Sequence, residues 1–416
     1  MSVDRNVRWL GLGAVVRATG VSLVLPFLVL YLRNVLAVGY VEIGLLVALT
    51  GVVPLLIVPF AGLLTDRVGR RRVFILALVA EAASVLGLSE TMQVRSLVGV
   101  LVLASVVQVV GTIAGPAISA YVADFTQGSD RTMGYTWVRI GWNVGFTVGV
   151  FGGGVLIGFI GFVDVALVAG VVLLVSTGFL AWFLDPSPFD LRRATGSTPS
   201  LGEEAPVRPA SMRQSLTILA RDRPFLAMCG AVALAGLTEG QWGTIFPLYV
   251  NTVLGISYAI LGAGLALNGL VVVFGQAPMT RASLGHRHTT LFVMGLAAYA
   301  AGFLLFGLVG QFAFELVPAF FVVVFVLTIG ENLGSIPSTT LPSNLAPAAE
   351  IGSYNGAFFA IVGLGWLLAP VLGGAVLAAS SSPLVVWGVL VAPALPAGAI
   401  LAFYVTPRLR AEANRA

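Results

Sequence analysis

Long apolar stretches of nearly uniform size alternate with short polar ones along the whole chain. Twelve are legible: Trp9–Leu32, Ile43–Leu64, Val73–Leu88, Leu97–Val122, Gly134–Ile160, Val163–Leu184, Pro224–Val250, Tyr258–Met279, Thr290–Val309, Leu316–Leu341, Tyr354–Ala379 and Pro383–Val405. Runs of roughly 20 apolar residues can cross a hydrocarbon layer about 30 Å thick. Each is predicted to be a helix, because a backbone in lipid must satisfy its N–H and C=O groups within the span. The longest polar stretch, Asp185–Arg223, is rich in Pro, Ser and Arg. It reads as a linker between a six-helix half, residues 1–184, and a second six-helix half with a short tail, residues 224–416.

Composition agrees with the pattern. Apolar residues make up 58% of the 416 and charged residues only 10%, against about 25% charged in a soluble domain. Lipid is the main solvent expected for this chain, and no nucleic-acid partner is expected. The first apolar run is too long for a cleaved signal, and no small-residue cleavage site follows it. All 22 basic residues are arginine, and their placement orients the spans. Eighteen fall on one side: at the N-terminus, between spans two and three, at Arg131, in the linker, at Arg281 and Arg287, and in the tail. Only Arg33 and Arg95 fall on the other. Both termini are therefore expected in the cytoplasm. The lone Cys229 rules out a disulfide framework and a cysteine metal site. His286 and His288 read as solvated loop residues.

The halves repeat each other. Gly145-x3-Gly149-Val150-x2-Gly153-Gly154 in span five matches Gly365-x3-Ala369-Pro370-x2-Gly373-Gly374 in span eleven at an offset of 220. Pro26 matches Pro247 at an offset of 221, and Gly285 matches Gly69 at 216. Internal repeats of this kind recur in secondary transporters, which handle substrate between the repeats near the midplane.

The connection between spans two and three runs from Gly62 to Arg72 with the pattern G-x-x-x-D-R-x-G-R-R-R. Its glycines permit a tight turn and a close backbone approach. Asp66 can cap the following helix. The pattern resembles the signature loop of the major facilitator superfamily of transporters. The glycine string of span five resembles a motif of that superfamily's drug/proton antiporter branch, with Val150 where the motif has proline. Small residues also simply let helices pack closely, and that reading stands beside a functional one.

The resemblance implies an all-α polytopic membrane fold, with twelve transmembrane helices in two pseudo-symmetric halves. It implies that Gly62, Asp66, Arg67, Gly69 and Arg70 form a cytoplasmic gate. It also places an acidic residue at the end of helix four against the loop arginine. Asp124 fits, so Asp124 and Arg70 are expected to pair. A plain positive-inside loop is the alternative.

Five charged residues fall within spans: Arg17, Glu81, Arg139, Glu239 and Glu331. Each costs about 2.5–3.5 kcal/mol at the bilayer centre on insertion scales, so its retention needs a reason. In the superfamily the first, fourth, seventh and tenth helices line the central cavity, which puts Arg17, Glu239 and Glu331 on lining helices. The alternative for Arg17 is a structural ion pair with a glutamate across the halves. Glu81, among alanines, reads as a packing residue or a protonated carboxyl. Tyr135-x3-Arg139-x3-Asn143-x-Gly145 places four residues on one helical face, so Arg139 and Asn143 join the cavity candidates; Arg139 could instead snorkel.

No nucleotide loop, zinc spacing or nucleophile elbow is present, so no catalytic residue, metal or cofactor is expected, and the chain is not read as an enzyme. The resulting expectation is a secondary transporter of the plasma membrane that works by alternating access, as a monomer, on a small-molecule substrate. Proton-coupled export of a drug-like or metabolite molecule is favoured. The alternative is proton-coupled or facilitative uptake of a sugar or organic anion.

Overall fold

The computed structural model describes residues 4–195, 212–312, 315–347 and 350–415. They form helices, turns and one isolated backbone bridge, between Arg287 and Arg415. The elements are α1 (Arg5–Val24), α2 (Leu28–Asn34), α3 (Tyr40–Val68), α4 (Arg70–Gln93), α5 (Leu97–Phe125), α6 (Gly128–Phe183), α7 (Pro188–Thr195) and α8 (Met212–Arg221). They continue with α9 (Arg223–Glu239), α10 (Ile245–Leu248), α11 (Tyr258–Ser283), α12 (His288–Phe312), α13 (Leu316–Leu345), α14 (Ile351–Ala379), α15 (Pro383–Val391) and α16 (Ala394–Ala399). Starts are marked by side-chain caps. Asp4, Ser96 and Asp222 accept from the backbone N–H of Asn6, Gly99 and Phe225 at the heads of α1, α5 and α9.

Ten stretches among the described residues are long and apolar enough to cross a membrane. Two breaks account for the twelve predicted spans. At 56 residues, α6 is far longer than one crossing needs, and Gly161 interrupts it with φ 79° and ψ 174°. Glycine alone takes that conformation readily, and the predicted boundary between spans five and six falls there. The seventh predicted span is helical but fractured. After α9 come a 3₁₀ turn (Gly240–Gly243), α10 and a π turn (Tyr249–Val253), so no unbroken piece crosses alone. Pro26, in the 3₁₀ turn between α1 and α2, and Pro247, in α10, mark the two symmetry-related breaks. Proline has no N–H to continue a helix.

The chain forms two compact units. One comprises Met1–Val38, Leu49–Glu203 and Gly255–Val273; the other comprises Gly39–Ala48, Glu204–Leu254 and Phe274–Ala416. The start of α3 thus belongs with the second unit, and most of α11 with the first. In the first unit, Leu10, Phe74, Leu78, Ala114, Tyr121 and Leu180 build a core between α1, α4, α5 and α6. In the second, Phe225, Met228, Phe292, Leu341, Tyr354 and Phe358 do the same. Beside them Phe303 stacks on Trp387, with ring centres 4.7 Å apart. The outer faces are apolar too: Phe159, Trp182 and Phe403 are more than 80% exposed, which suits a surface wetted by lipid.

The repeated glycines sit where backbones touch. A side chain on Gly145 would run into the carbonyl oxygen of Val15 on α1, and one on Gly365 into that of Ala233 on α9. The fifth predicted span thus packs on the first as the eleventh packs on the seventh, which is the close-packing reading of the string. Gly145→Ala and Gly365→Ala should each lower stability by about 1–3 kcal/mol through overpacking. Gly158→Ala, in open space, should be neutral. Thermal unfolding of the detergent-purified protein distinguishes the two outcomes.

Candidate functional site

The signature loop is a helix-to-helix turn in the first unit. α3 ends at Val68, Gly69 reverses the chain at φ 110°, and α4 begins at Arg70. Arg70 reaches α5, where its Nη1 pairs with the Oδ1 of Asp124 and donates to the carbonyl of Ala120 at 3.0 Å. The ring of Phe189 lies 4.4 Å from its guanidinium carbon. The two charged side chains are only 17% and 12% exposed, so the pair is largely removed from water. Arg67 is exposed and lines a cavity of about 610 Å³ with Gly69, Arg71, Arg72 and Asp190. Gly62 and Asp66 lie on α3, but their side chains fall outside the described residues. Asp190, within the polar stretch 185–223, accepts from the backbone N–H groups of Arg70 and Arg71.

Arg17 and Glu81 form a bidentate ion pair. Arg17 Nε donates to Oε2 at 2.6 Å and Nη2 to Oε1 at 2.8 Å, with both side chains buried. The partner of Arg17 is therefore on α4 in the same unit, not across the halves, and Glu81 is a charged partner rather than a packing residue. A sequence signal for this existed. Arg17 is twelve residues into α1 and Glu81 eleven into α4, which puts both about 17–18 Å along helices starting on the same predicted side. A bidentate guanidinium–carboxylate pair engages two N–H donors and both carboxylate oxygens at once.

The pair lies on the wall of a cavity of about 660 Å³, lined also by Gln108, Tyr135, Arg139, Trp142 and Asn143. The guanidinium carbon of Arg17 is 5.3 Å from the Trp142 ring centre. Tyr135, Arg139 and Asn143 face this space together, as their spacing predicts. Gly145, two residues past Asn143, packs on α1 instead.

Glu239 and Glu331 line a different cavity, of about 400 Å³, in the second unit. Its walls include Trp242, Phe292, Tyr299, Phe359 and Trp366, with hydroxyls from Ser335 and Ser338. No basic residue is among its lining residues. The five predicted cavity residues are thus divided: Arg17, Arg139 and Asn143 in one unit, Glu239 and Glu331 in the other. Gln241, two residues past Glu239, is buried and donates to the carbonyls of Leu237 and Ala369, so it joins helices rather than lining this cavity.

A polytopic helical bundle with charged groups held inside its spans and polar cavities in each unit is the architecture of a membrane transporter. The sequence profile of the Major Facilitator Superfamily matches residues 10–370, and the chain belongs to that family, which is one of transporters and not of enzymes. It is 26% identical to the class C tetracycline resistance protein of Escherichia coli over 377 residues, 88% of either chain. It is 24% identical to the uncharacterised MFS-type transporter YttB of Bacillus subtilis (strain 168), over 89% of this chain and 88% of that one. Its fold resembles the crystal structure of the nucleoside transporter NupG, with a TM-score of 0.73 and 13% identity over 97% of this chain and all of that one.

Two predictions follow from the ion pairs. Arg17→Met or Glu81→Leu alone strands a buried charge and should cost about 3–5 kcal/mol, whereas the double substitution should recover most of that loss. Thermal unfolding of all three variants measures it; equal, additive losses would mean the two residues do not depend on one another. Arg70→Ala and Asp124→Ala should be non-additive in a double-mutant cycle of stability, with a coupling of about 0.5–3 kcal/mol.

Proposed function

We propose that the protein is a proton-coupled exporter of a drug-like or metabolite small molecule, working by alternating access between two six-helix halves joined by the 185–223 linker. It acts as a monomer in the plasma membrane with both termini in the cytoplasm, an orientation that rests on the arginine bias. The single observation that carries the reading is the second-unit cavity, where two glutamates share a space walled by aromatic rings. Two acidic side chains share this cavity and no basic residue is among its lining residues, so they are the groups there able to exchange a proton with cavity water. A carboxyl that meets cavity water in one state and an apolar wall in the other can bind and release a proton in each cycle. The similarity to a tetracycline resistance protein supports export over uptake.

Arg17, taken alone, would disfavour a cationic substrate. Its charge is neutralised by Glu81, and the glutamate cavity has aromatic faces that attract cations. A substrate carrying a cationic or strongly polarised aromatic group fits this setting better than an anion. The gate comprises Gly62, Asp66, Arg67, Gly69 and Arg70 with Asp124, and the buried Arg70–Asp124 pair biases one conformation.

Everted membrane vesicles loaded by a proton gradient test this, with ethidium and tetracycline as probes. The wild type should accumulate at least one of them. Glu331→Gln should abolish uphill accumulation while leaving passive exchange, and Glu239→Gln should alter its pH profile. Uphill transport with an unchanged pH profile in Glu331→Gln would make Glu331 structural. Accumulation in right-side-out vesicles instead would favour uptake of a sugar or organic anion.

A further inference from the structure

In each unit, the segment that follows the last span of its half folds back onto the start of the third. In the first unit the carboxylate of Asp190, on α7, accepts from the backbone N–H of Arg70 at 2.8 Å and of Arg71 at 3.1 Å. These are the first two residues of α4, whose N–H groups have no partner within the helix. The side chain of Arg71 returns the favour at the other end: Nη2 donates to the carbonyl of Ala181 at 2.6 Å, and Nε to that of Leu184 at 2.8 Å. The start of α4 thus takes an acidic cap from α7, and the end of α6 takes a basic one from α4. Gly69 makes room, since a side chain there would come within 2.7 Å of Asp190 Oδ1. Nearby, hydrogen bonds from Arg5 and Asn6 hold the carboxyl of Asp185 below its ordinary range.

The second unit has the same arrangement in other chemistry. α12 begins at His288. The backbone carbonyl of Asn414 accepts from His288 N–H at 2.9 Å, and its side-chain Oδ1 accepts from Thr289 N–H at 3.0 Å. Its Nδ2 donates to Thr289 Oγ1 at 3.0 Å, and the same oxygen accepts from the hydroxyl of Thr406, just past the last span, at 2.8 Å. Asn414 and Thr289 are fully buried. His288 is buried with them, against the expectation of a solvated loop residue, while His286 is exposed. Asp190 and Asn414 are 224 residues apart, and Arg71 and Thr289 are 218 apart, close to the offsets of the internal repeat.

We propose that Asp190 and Asn414 are equivalent positioning residues, each tying the start of the third span of its half to the end of the sixth so that the half moves as one body. The first clasp is charged and the second neutral. This goes beyond the exporter reading and rests on it only for the movement.

Amide hydrogen exchange on the full chain in lipid nanodiscs tests the clasps without a substrate. Asp190→Ala should speed exchange at Arg70 and Arg71 about tenfold, the scale of a lost helix cap, and leave His288 and Thr289 within about twofold. Asn414→Ala, which removes the Oδ1 acceptor but keeps the backbone carbonyl, should speed exchange at Thr289 about tenfold and leave Arg70 and Arg71 within about twofold. Asn414→Asp, which keeps the Oδ1 acceptor, should retain protection at Thr289, and this conservative variant guards against simple misfolding. Salt at 1 M should loosen the first clasp more than the second. Equal loosening at both ends in either alanine variant, or none, overturns the clasps. Positioning is read from ethidium uptake into everted vesicles, where each alanine variant should lower the maximal rate about fivefold at an unchanged half-saturating concentration. Altered exchange with a wild-type maximal rate would leave the clasps merely structural and overturn that role. A wild type that moves neither ethidium nor tetracycline would count against the exporter reading, and the exchange result would still decide whether the clasps exist.

Discussion

Hydrocarbon offers no hydrogen bonds, and nearly everything distinctive about this protein is a response to that. A hydroxyl in a span can use a carbonyl of its own helix, as Ser84 uses that of Ala80, but a charged group must find its partner on another element. Arg17 finds Glu81, and Arg70 finds Asp124 and the carbonyl of Ala120. The same constraint governs helix ends, where four N–H and four C=O groups lack intrahelical partners. Asp190, Arg71 and Asn414 supply them from segments distant in sequence. Where no polar group is present, backbones approach at glycine, as at Gly145 and Gly365. Between them these devices leave few groups that need water, and the two polar cavities become the exceptional places.

Much of the fold was legible because lipid simplifies the code. A span must be apolar, about 20 residues long and helical, so hydropathy alone locates it. Gly161 and Pro247 show the limit of that reading. The first divides a continuous helix and the second lies in a broken one, and neither effect is visible in average hydrophobicity. The Arg70–Asp124 pair was readable from a motif because its two members keep fixed places in the pattern. The Arg17–Glu81 pair belongs to no motif, and only a comparison of depths along two helices would have suggested it. Asp190 and Asn414 sit in polar stretches, where capping residues look the same as any solvated side chain. Their role depends on where the chain returns, and that is a tertiary fact.

The division of the cavity candidates has a similar origin. The resemblance put Arg17, Glu239 and Glu331 on helices that line one cavity, and assignment to a helix does not say which residues share a pocket. One body holds a neutralised pair beside Arg139 and Asn143, and the other holds two carboxyls among aromatic rings.

The ion pair also bears on how the chain is made. Glu81 follows Arg17 by 64 residues, which at about 5–20 residues per second is about 3–13 s of synthesis. For that interval the first span carries a guanidinium with no carboxylate to meet, at an insertion penalty of about 2.5–3.5 kcal/mol. The apolar residues around it, from Leu10 to Leu32, must offset that penalty unaided. The first helix therefore has a narrow margin for polar substitutions during biogenesis, although in the finished protein the same positions lie in a well-satisfied interior. Substitutions there can lower the amount of protein made without weakening the protein that is made.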